Sequence, residues 1–383
     1  MILRFSLIWL VFNQALCAYA MTDINVRVLL AEFPLDMKTT CTITSPTAMR
    51  LFDDQAKRYK RQLETITVTI DNQAILINDL VMRGQFMTIV PTNGYLSFQG
   101  KKYDGSLVLY PYNNRLLLIN VVDLEQYLVC VLCSESWPGW RLETNKALAI
   151  ASRTYAVNKM IQAKEAHLPY HIKNTNIHQV YRGIDTTQNL SQAVEQTHHL
   201  ILAYNKRPIV AMFDSCCGGV TASLIEGINK SQFPYLARNY PCHACKTAKV
   251  FNWRAEYTGR QLYDELQTYL GAVTRITDCK IARRDAAGLV RELSISDGKR
   301  KIALSGSRFY TGLKKIRSSL FTVTKKGNKY IFKGKGVGHH RGLCQWGCCQ
   351  LIQDGWDYQR VLQFYYPGTE LMRLRPKMVD SGA

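Results

Sequence analysis

Beyond its first twenty residues the chain has no apolar run approaching the roughly 20 residues that a membrane-spanning helix needs. It also lacks internal repeats and low-complexity linkers, which excludes a repeat array or a string of small domains. Acidic residues are scarce, since 29 Asp and Glu stand against 49 Lys and Arg, a formal charge of +20. The 12 cysteines in 383 residues are too few for a small disulfide scaffold and more than a cytosolic enzyme usually carries. The chain is therefore a globular protein with two surpluses to explain, basic charge and cysteine.

The first twenty residues have the pattern of a secretory signal peptide. Arg4 precedes an apolar run over residues 7–12, and the triplet at 18–20 has a small residue at each end. We expect export to the periplasm or cell envelope, with cleavage after Ala20; a retained membrane anchor is the alternative. Cleavage would also remove Cys17 and leave an odd number of cysteines. Because an exported protein meets little nucleic acid, we expect no nucleic-acid partner.

Hydrophobic periodicity predicts an α+β fold, with β-rich mixed sheets and a central helix pair. Residues 22–122 contain short alternating runs separated by Asn, Asp, Gly and Pro, as strands do. From residue 123 to about 164 the period becomes helical and is broken once, at Trp137-Pro138-Gly139. The predicted parts are a signal peptide (1–20), a β-rich N-terminal part (22–122), a core (123–375) and a frayed tail (376–383).

Glu135 is the acid that the first helix singles out. Asp123 is a plausible N-cap, and the apolar face that begins at Leu124 and runs to Val131 continues to Glu135. Partial burial and the negative end of the helix dipole are both expected to raise the pKa of this carboxyl group. A carboxyl group that keeps its proton near neutral pH can protonate a leaving group. The alternative is a solvated glutamate paired with Lys or Arg.

The second helix of the pair is rich in alanine, which lets neighbouring elements approach it closely. Arg153 and Tyr155 lie inside this helix. They are either hydrogen-bonding residues at the edge of the core or groups that face a cleft beside Glu135, and the residues alone leave both alternatives open.

Several ordered motifs resemble the stage II sporulation protein D (SpoIID/LytB) family. They are DLEQYLVCVLCSESWP with the alanine-rich helix that ends in ASRTYAVNK, then QVYRG at 179–183, and finally GKGVGHHRGLCQWG with YYPGTEL. The resemblance covers roughly residues 24–371. It implies a lytic transglycosylase that acts on peptidoglycan strands whose stem peptides an amidase has removed. The expected partners are therefore these glycan strands and an N-acetylmuramoyl-L-alanine amidase.

The resemblance carries the family's catalytic glutamate onto Glu135. It implies that this one carboxyl group protonates the glycosidic oxygen between N-acetylmuramic acid and N-acetylglucosamine. The same group, now a base, then takes the proton of the muramic C6 hydroxyl as that oxygen bonds to C1, which gives a 1,6-anhydro product. An ordinary hydrolase uses a second carboxylate, about 5 Å away when retaining and about 6.5–9.5 Å when inverting, for which Glu143 and Asp214 are the candidates. A non-catalytic wall-binding or amidase-enhancing protein is the alternative function.

Further substrate-binding residues are expected in the C-terminal signature. His339, Gln345 and Trp346 surround a glycine loop, and an indole face with polar neighbours suits a sugar. The alternative is a loop that packs its tryptophan into the core. Together with Arg153 and Tyr155, these residues are the expected glycan contacts.

The cysteines leave a metal site undecided. Some members of the resembled family bind zinc with a cysteine and a histidine; Cys217 matches the cysteine, and Asp214 stands in place of the histidine. The segment CHAC at 242–245 has the spacing of half a zinc site, and Cys216, Cys217 or His339 would complete it. A disulfide or buried free thiols are the alternative in an exported protein. We expect no cofactor to be required for cleavage, with zinc left open.

The basic charge fits the implied substrate. A glycan stripped of its peptides has a free carboxylate on each muramic acid, so a cationic protein attracts it. We therefore expect the excess Lys and Arg to line or flank the Glu135 cleft.

Overall fold

The computed structural model describes residues 24–55, 58–78, 80–175, 178–184 and 188–375. The expected signal peptide and tail lie outside these residues. Over the described part the predicted α+β, β-rich class is confirmed. The chain divides into two compact units: the first holds the chain up to Ile201 with Arg207–Ile209 and the segment from Met372, and the second holds Leu202–Lys206 and Val210–Leu371. The sequence-based boundary at 122/123 stays a prediction.

Seven α-helices lie within the described residues. They are α1 (Leu124–Glu135), α2 (Leu142–Glu165), α3 (Gln188–Gln196), α4 (Gly259–Leu266), α5 (Gly306–Gly312), α6 (Gln345–Gln353) and α7 (Tyr358–Tyr365). Short 3₁₀ turns occupy Ala222–Leu224, Pro234–Leu236, Ala244–Thr247 and Gln267–Tyr269. No described helix is both long and apolar enough to cross a membrane.

Twenty-two strands are found in the same described residues. They are β1 (Asn25–Pro34), β2 (Thr39–Asp53), β3 (Arg58–Asp71), β4 (Ala74–Ile77), β5 (Leu80–Val81), β6 (Met87–Pro91), β7 (Leu96–Phe98), β8 (Lys101–Tyr103), β9 (Ser106–Tyr112), β10 (Arg115–Asp123), β11 (Ile172–Lys173), β12 (Leu200–Tyr204), β13 (Arg207–Pro208), β14 (Phe213–Asp214), β15 (Asn252–Thr258), β16 (Asp278–Arg284), β17 (Val290–Ser296), β18 (Lys301–Ser305), β19 (Phe321–Lys326), β20 (Lys329–Lys335), β21 (Leu343–Cys344) and β22 (Glu370–Arg373).

The first unit is built on one large sheet. Its main path runs β11-β1-β10-β9-β6-β2-β3-β4-β5, with β7 and β8 attached beside β2. Strand β10 pairs antiparallel with β1 and β9, and its residues Leu116 to Val122 are all buried. A strand covered on both faces must be apolar at successive positions rather than at alternate ones. This explains the continuous run LLLINVV.

The predicted helix pair follows directly from β10. Asp123 ends the strand and caps α1, because its carboxylate accepts hydrogen bonds from the N–H groups of Glu125 and Gln126 at 2.9 and 3.0 Å. Helix α2 then buries residues on every side, which small alanine side chains permit. The pair is therefore central in the first unit.

The second unit is built from smaller pieces. Two three-stranded antiparallel sheets, β15-β20-β19 and β16-β17-β18, share an apolar core. Phe309, Phe321 and Phe332 form its aromatic centre, with ring centroids 5.6–5.7 Å apart. A two-residue parallel pairing of β14 with β21 lies elsewhere in the unit.

We predict that Gly183→Ala destabilises the protein much more than Gly100→Ala. Both glycines have positive φ, +86° and +74°, which L side chains rarely adopt. A Cβ at Gly183 would lie 2.1 Å from the carbonyl oxygen of Lys102, whereas at Gly100 no atom of the described residues lies within 4 Å. Urea unfolding should show losses of about 2–4 kcal/mol for Gly183→Ala and about 1–2 kcal/mol for Gly100→Ala. Equal losses would contradict the close approach of Gly183 to the carbonyl oxygen of Lys102.

Candidate functional site

Glu135 lies at the C-terminal end of α1 and is half-buried. Its Oε1 accepts a hydrogen bond from the main-chain N–H of Val180 at 3.1 Å. Val180 is the middle residue of the QVY sequence that begins the second motif. Two motifs that are 45 positions apart therefore meet at this carboxyl group.

The neighbours of Val180 anchor it against the helix pair and the sheet. Gln179 is fully buried, accepts from the Tyr127 hydroxyl at 3.0 Å and donates to the Ser152 carbonyl at 3.3 Å. Tyr181 is also fully buried and donates its hydroxyl to Asn120 Oδ1 at 2.8 Å. Burial raises the pKa of both tyrosines well above the usual range, so their hydroxyls stay protonated donors. The Val180 N–H is thus held in one position beside Glu135.

The other carboxylates near the start of each helix are neutralised by cations. Glu125 of α1 accepts from Arg153 at 2.6 and 2.9 Å. Glu143 of α2 lies 2.8 Å from the ammonium group of Lys146. Glu125 and Glu143 therefore each form an ion pair, with Arg153 and Lys146 respectively.

Arg153 is a fully buried side chain. Besides the carboxylate of Glu125, its guanidinium reaches the carbonyl oxygens of Leu200 at 3.1 Å and Val194 at 3.2 Å. The sequence left two alternatives, a hydrogen-bonding residue of the core or a group that faces a cleft beside Glu135. The structure shows Arg153 as a hydrogen-bonding residue inside the core. It has no exposed surface with which to contact a glycan, so it acts on the site by positioning α1 against α2.

Tyr155 of α2 is half-buried. Its ring meets the His178 ring edge-on at 6.3 Å, and the Lys159 ammonium lies 5.5 Å from its centroid. Burial raises the pKa of Tyr155 to about 12. Burial and the charges of Lys159 and Lys173 lower the pKa of His178. A neutral phenol and a neutral imidazole are groups that can hydrogen-bond to sugar hydroxyls.

His178 and Val180 were not predicted from the sequence. The available signal was their position in and just before the QVYRG motif, two residues apart. The role of Val180 depends on a main-chain N–H, which no residue type encodes.

The C-terminal signature residues belong to the second unit. His339 is exposed, and its Nδ1 accepts from the Arg341 N–H at 3.1 Å. Trp346 is half-buried and donates its main-chain N–H to the Ser215 carbonyl at 3.1 Å. Gln345 is buried at the first position of α6. The expected contact of His339, Gln345 and Trp346 with a glycan stays a prediction.

Asp214 and His340 form a buried polar pair in the second unit. The N–H of His340 donates to Asp214 Oδ2 at 2.6 Å, and His340 Nδ1 lies 2.8 Å from the Cys217 carbonyl oxygen. Burial raises the pKa of Asp214 well above its usual range and lowers the pKa of His340 to about 4. Asp214 is therefore a buried structural group at the end of β14.

Four cysteines of the second unit converge: Cys217, Cys242, Cys245 and Cys344. Their sulfur atoms all lie within 4.8 Å of one another. The group contains neither Asp214 nor His339. Cys344, which completes it, was not proposed from the sequence, although it stands in the GLCQWG motif.

A long basic stretch also belongs to the second unit. Between Asp297 and Asp354 the chain has 13 Lys and Arg and no acidic residue. Lys325, Lys326 and Lys329 of this run are exposed on the β19–β20 hairpin. The expected enrichment of cations around Glu135 stays a prediction.

Fold and site together define an α+β protein whose central helix pair carries a half-buried acid fixed by a main-chain N–H. The family model described as stage II sporulation protein matches residues 112–204, and a domain of unknown function matches residues 219–342. The chain belongs to the stage II sporulation protein D (SpoIID) family.

The chain is similar to several curated proteins, of which three are described. An uncharacterized protein of Brachyspira hyodysenteriae (strain ATCC 49526 / WA1) is 30% identical over 312 residues, covering 81% of this chain and 82% of the relative. The amidase enhancer of Bacillus subtilis (strain 168) is 25% identical, over 80% of this chain and 50% of its own length. Stage II sporulation protein D of the same strain is 26% identical, over 65% of this chain and 74% of its own length.

We predict that Arg153→Met lowers the free energy of unfolding by about 3–5 kcal/mol, because it leaves the buried carboxylate of Glu125 without its cation. The double variant Glu125→Gln/Arg153→Met should lose less than Arg153→Met alone, since no buried charge is then left unpaired. Urea unfolding of the wild type, Glu125→Gln, Arg153→Met and the double variant forms the cycle. Strictly additive losses would contradict the ion pair.

Proposed function

We propose that this protein is a lytic transglycosylase that cleaves the bond between N-acetylmuramic acid and N-acetylglucosamine in peptide-stripped peptidoglycan strands. The observation that carries the proposal is the Glu135 carboxyl group, half-buried at the end of α1 and hydrogen-bonded to the Val180 N–H. Because peptidoglycan lies outside the cytoplasmic membrane, export to the periplasm or cell envelope is part of the proposal.

One carboxyl group can perform both proton transfers. Glu135 first gives its proton to the glycosidic oxygen, and the bond from that oxygen to C1 of the muramic acid breaks. The carboxylate then takes the proton of the C6 hydroxyl while that oxygen bonds to C1, which gives the 1,6-anhydro end. The acid regains its proton and no water is consumed.

The contacts of Glu135 suit these two steps. Its position at the helix C-terminus opposes the anionic form before the reaction. The hydrogen bond from the Val180 N–H fixes the carboxyl group and acts in the opposite direction, because it favours the anion both in the free protein and after proton donation. Half-burial keeps the group partly shielded from water yet reachable by a substrate.

The ion pairs of two other acids of the helix pair support a single-acid mechanism over a two-carboxylate hydrolase. Glu125 is held by Arg153 and Glu143 by Lys146, so each already neutralises a cation. A nucleophile or base in a hydrolase must instead be available to the sugar or to a water molecule.

We expect Glu135→Gln to lower the yield of 1,6-anhydro ends by roughly 100-fold or more, because the amide cannot donate and retake the proton. Mass spectrometry of denuded glycan strands after incubation with each variant measures the yield. Glu165→Gln is the matched control, since Glu165 also ends a helix but is exposed. It should leave the yield unchanged.

Three outcomes would redirect the proposal. Equal yields from wild type and Glu135→Gln would refute the mechanism. Ordinary reducing ends that depend on both Glu135 and Glu143 would indicate a hydrolase. Stimulation of an N-acetylmuramoyl-L-alanine amidase by Glu135→Gln, without any anhydro product from the wild type, would favour the second candidate, an amidase-enhancing protein. The similarity to a relative named amidase enhancer is the observation behind that candidate.

Binding of denuded glycan should weaken by about tenfold between low and high salt, because lysine and arginine attract the lactyl carboxylates and ions screen that attraction. Isothermal titration at increasing salt measures the affinity. Chitin oligosaccharides, which lack these carboxylates, are the control and should bind with little dependence on salt. The same salt dependence for both ligands would show that attraction between the basic residues and the lactyl carboxylates does not contribute to binding.

A further inference from the structure

The four-cysteine cluster of Cys217, Cys242, Cys245 and Cys344 brings together three segments of the second unit. Cys217 follows β14, Cys242 and Cys245 flank the start of the 3₁₀ turn at 244–247, and Cys344 ends β21. All four side chains are buried, and Cys242, Cys245 and Cys344 have no exposed surface. The convergence of residues up to 127 positions apart is a property of the tertiary structure.

Sulfur spacing distinguishes between a disulfide and a metal site. Cys217 Sγ and Cys245 Sγ are 3.8 Å apart, whereas a disulfide bond is about 2.05 Å long. Four sulfurs at about 2.3 Å from one zinc ion form a tetrahedron with edges of about 3.8 Å. The observed separation is therefore that of two ligands of one ion.

Three hydrogen-bond donors surround two of the sulfur atoms of the cluster. The N–H groups of Cys217 and Gly347 both point to Cys344 Sγ at 3.3 Å. The Tyr365 hydroxyl lies 3.2 Å from Cys242 Sγ and can donate to it. Cys344 also caps the N-terminus of α6, where the helix dipole favours negative charge. Such donors are the usual outer contacts of metal-bound sulfur.

Packing closes the cluster on the side of α6. A Cβ at Gly347 would lie 2.1 Å from the Tyr365 hydroxyl, 2.8 Å from Cys242 Sγ and 3.2 Å from Cys344 Sγ. Only glycine fits there. The buried guanidinium of Arg238, 5.7 Å from the Tyr365 ring, supplies positive charge near the cluster.

We propose that Cys217, Cys242, Cys245 and Cys344 bind one zinc ion as a closed, structural tetrahedral site. On binding, four S–H bonds break, four Zn–S bonds form, four protons pass to water and no electron is transferred. Four protein ligands leave no open position, so the ion stabilises the fold and performs no catalysis. The proposal goes beyond glycan cleavage and does not depend on it.

All-sulfur ligation differs from the cysteine–histidine site considered from the sequence. Asp214 accepts the N–H of His340, and His339 is exposed, so neither belongs to the cluster. Sulfur donors in a tetrahedron favour zinc or iron over magnesium or calcium. The short spacing indicates a single ion, since a cluster of several iron atoms holds its cysteines further apart.

Metal analysis of the purified full chain should find about one zinc per chain. Serine variants of Cys217, Cys242, Cys245 and Cys344 should each lose most of it. Cys348→Ser is the matched control, because Cys348 is fully buried on α6 but outside the cluster; it should keep its zinc.

Two measurements on the wild type avoid dependence on how the variants fold. Cobalt exchanged into the protein should give the intense visible bands of tetrahedral thiolate ligation, and a strong chelator should lower the melting temperature. Three results would each overturn the proposal. The first is metal-free protein whose melting temperature does not change with the chelator. The others are disulfides among the four cysteines in peptide mapping and coloured protein that contains iron. Zinc lost from Cys348→Ser as readily as from Cys217→Ser would overturn the ligand set.

Discussion

The buried ion pair between Glu125 and Arg153 is the constraint on which the site of the first unit depends. It joins α1 to α2, and through the Val194 and Leu200 carbonyls it also ties α2 to the end of α3 and the start of β12. Burying two charges is costly unless every donor finds an acceptor, and here all three guanidinium nitrogens do. Because α1 is held in this way, its last residue, Glu135, lies in a fixed position beside Val180 of the QVYRG motif.

The two units are stabilised by different means. The first has a large sheet covered by a helix pair, which buries long apolar runs such as that of β10. Around the four cysteines, by contrast, the second unit has two-residue strands, short 3₁₀ turns and the N-terminus of α6. A cross-link between such short elements contributes more to order than it would within a sheet. The proposed zinc site connects these four cysteines to the fold rather than to catalysis.

Some features could be predicted because they are local. The N-cap at Asp123, the apolar face of α1 and the position of Glu135 at its end follow from helical spacing within a dozen residues. The small residues of α2 likewise predicted a central helix. Arg153 could not be decided in this way, because a long cationic side chain serves equally in a cleft or in a buried pair, and only the position of Glu125 one helix away distinguishes them.

The sequence by itself determined the class of fold, the helix pair and the candidate acid, because each depends on the periodicity, capping residues and motifs of residues that are close in sequence. Only the tertiary structure decided that a main-chain N–H from Val180 meets that acid, and that Cys344 joins Cys217 and the CHAC segment. These contacts join residues 45 and 127 positions apart. Such pairings depend on how whole elements pack against each other, and side-chain spacing along one element carries no information about that packing.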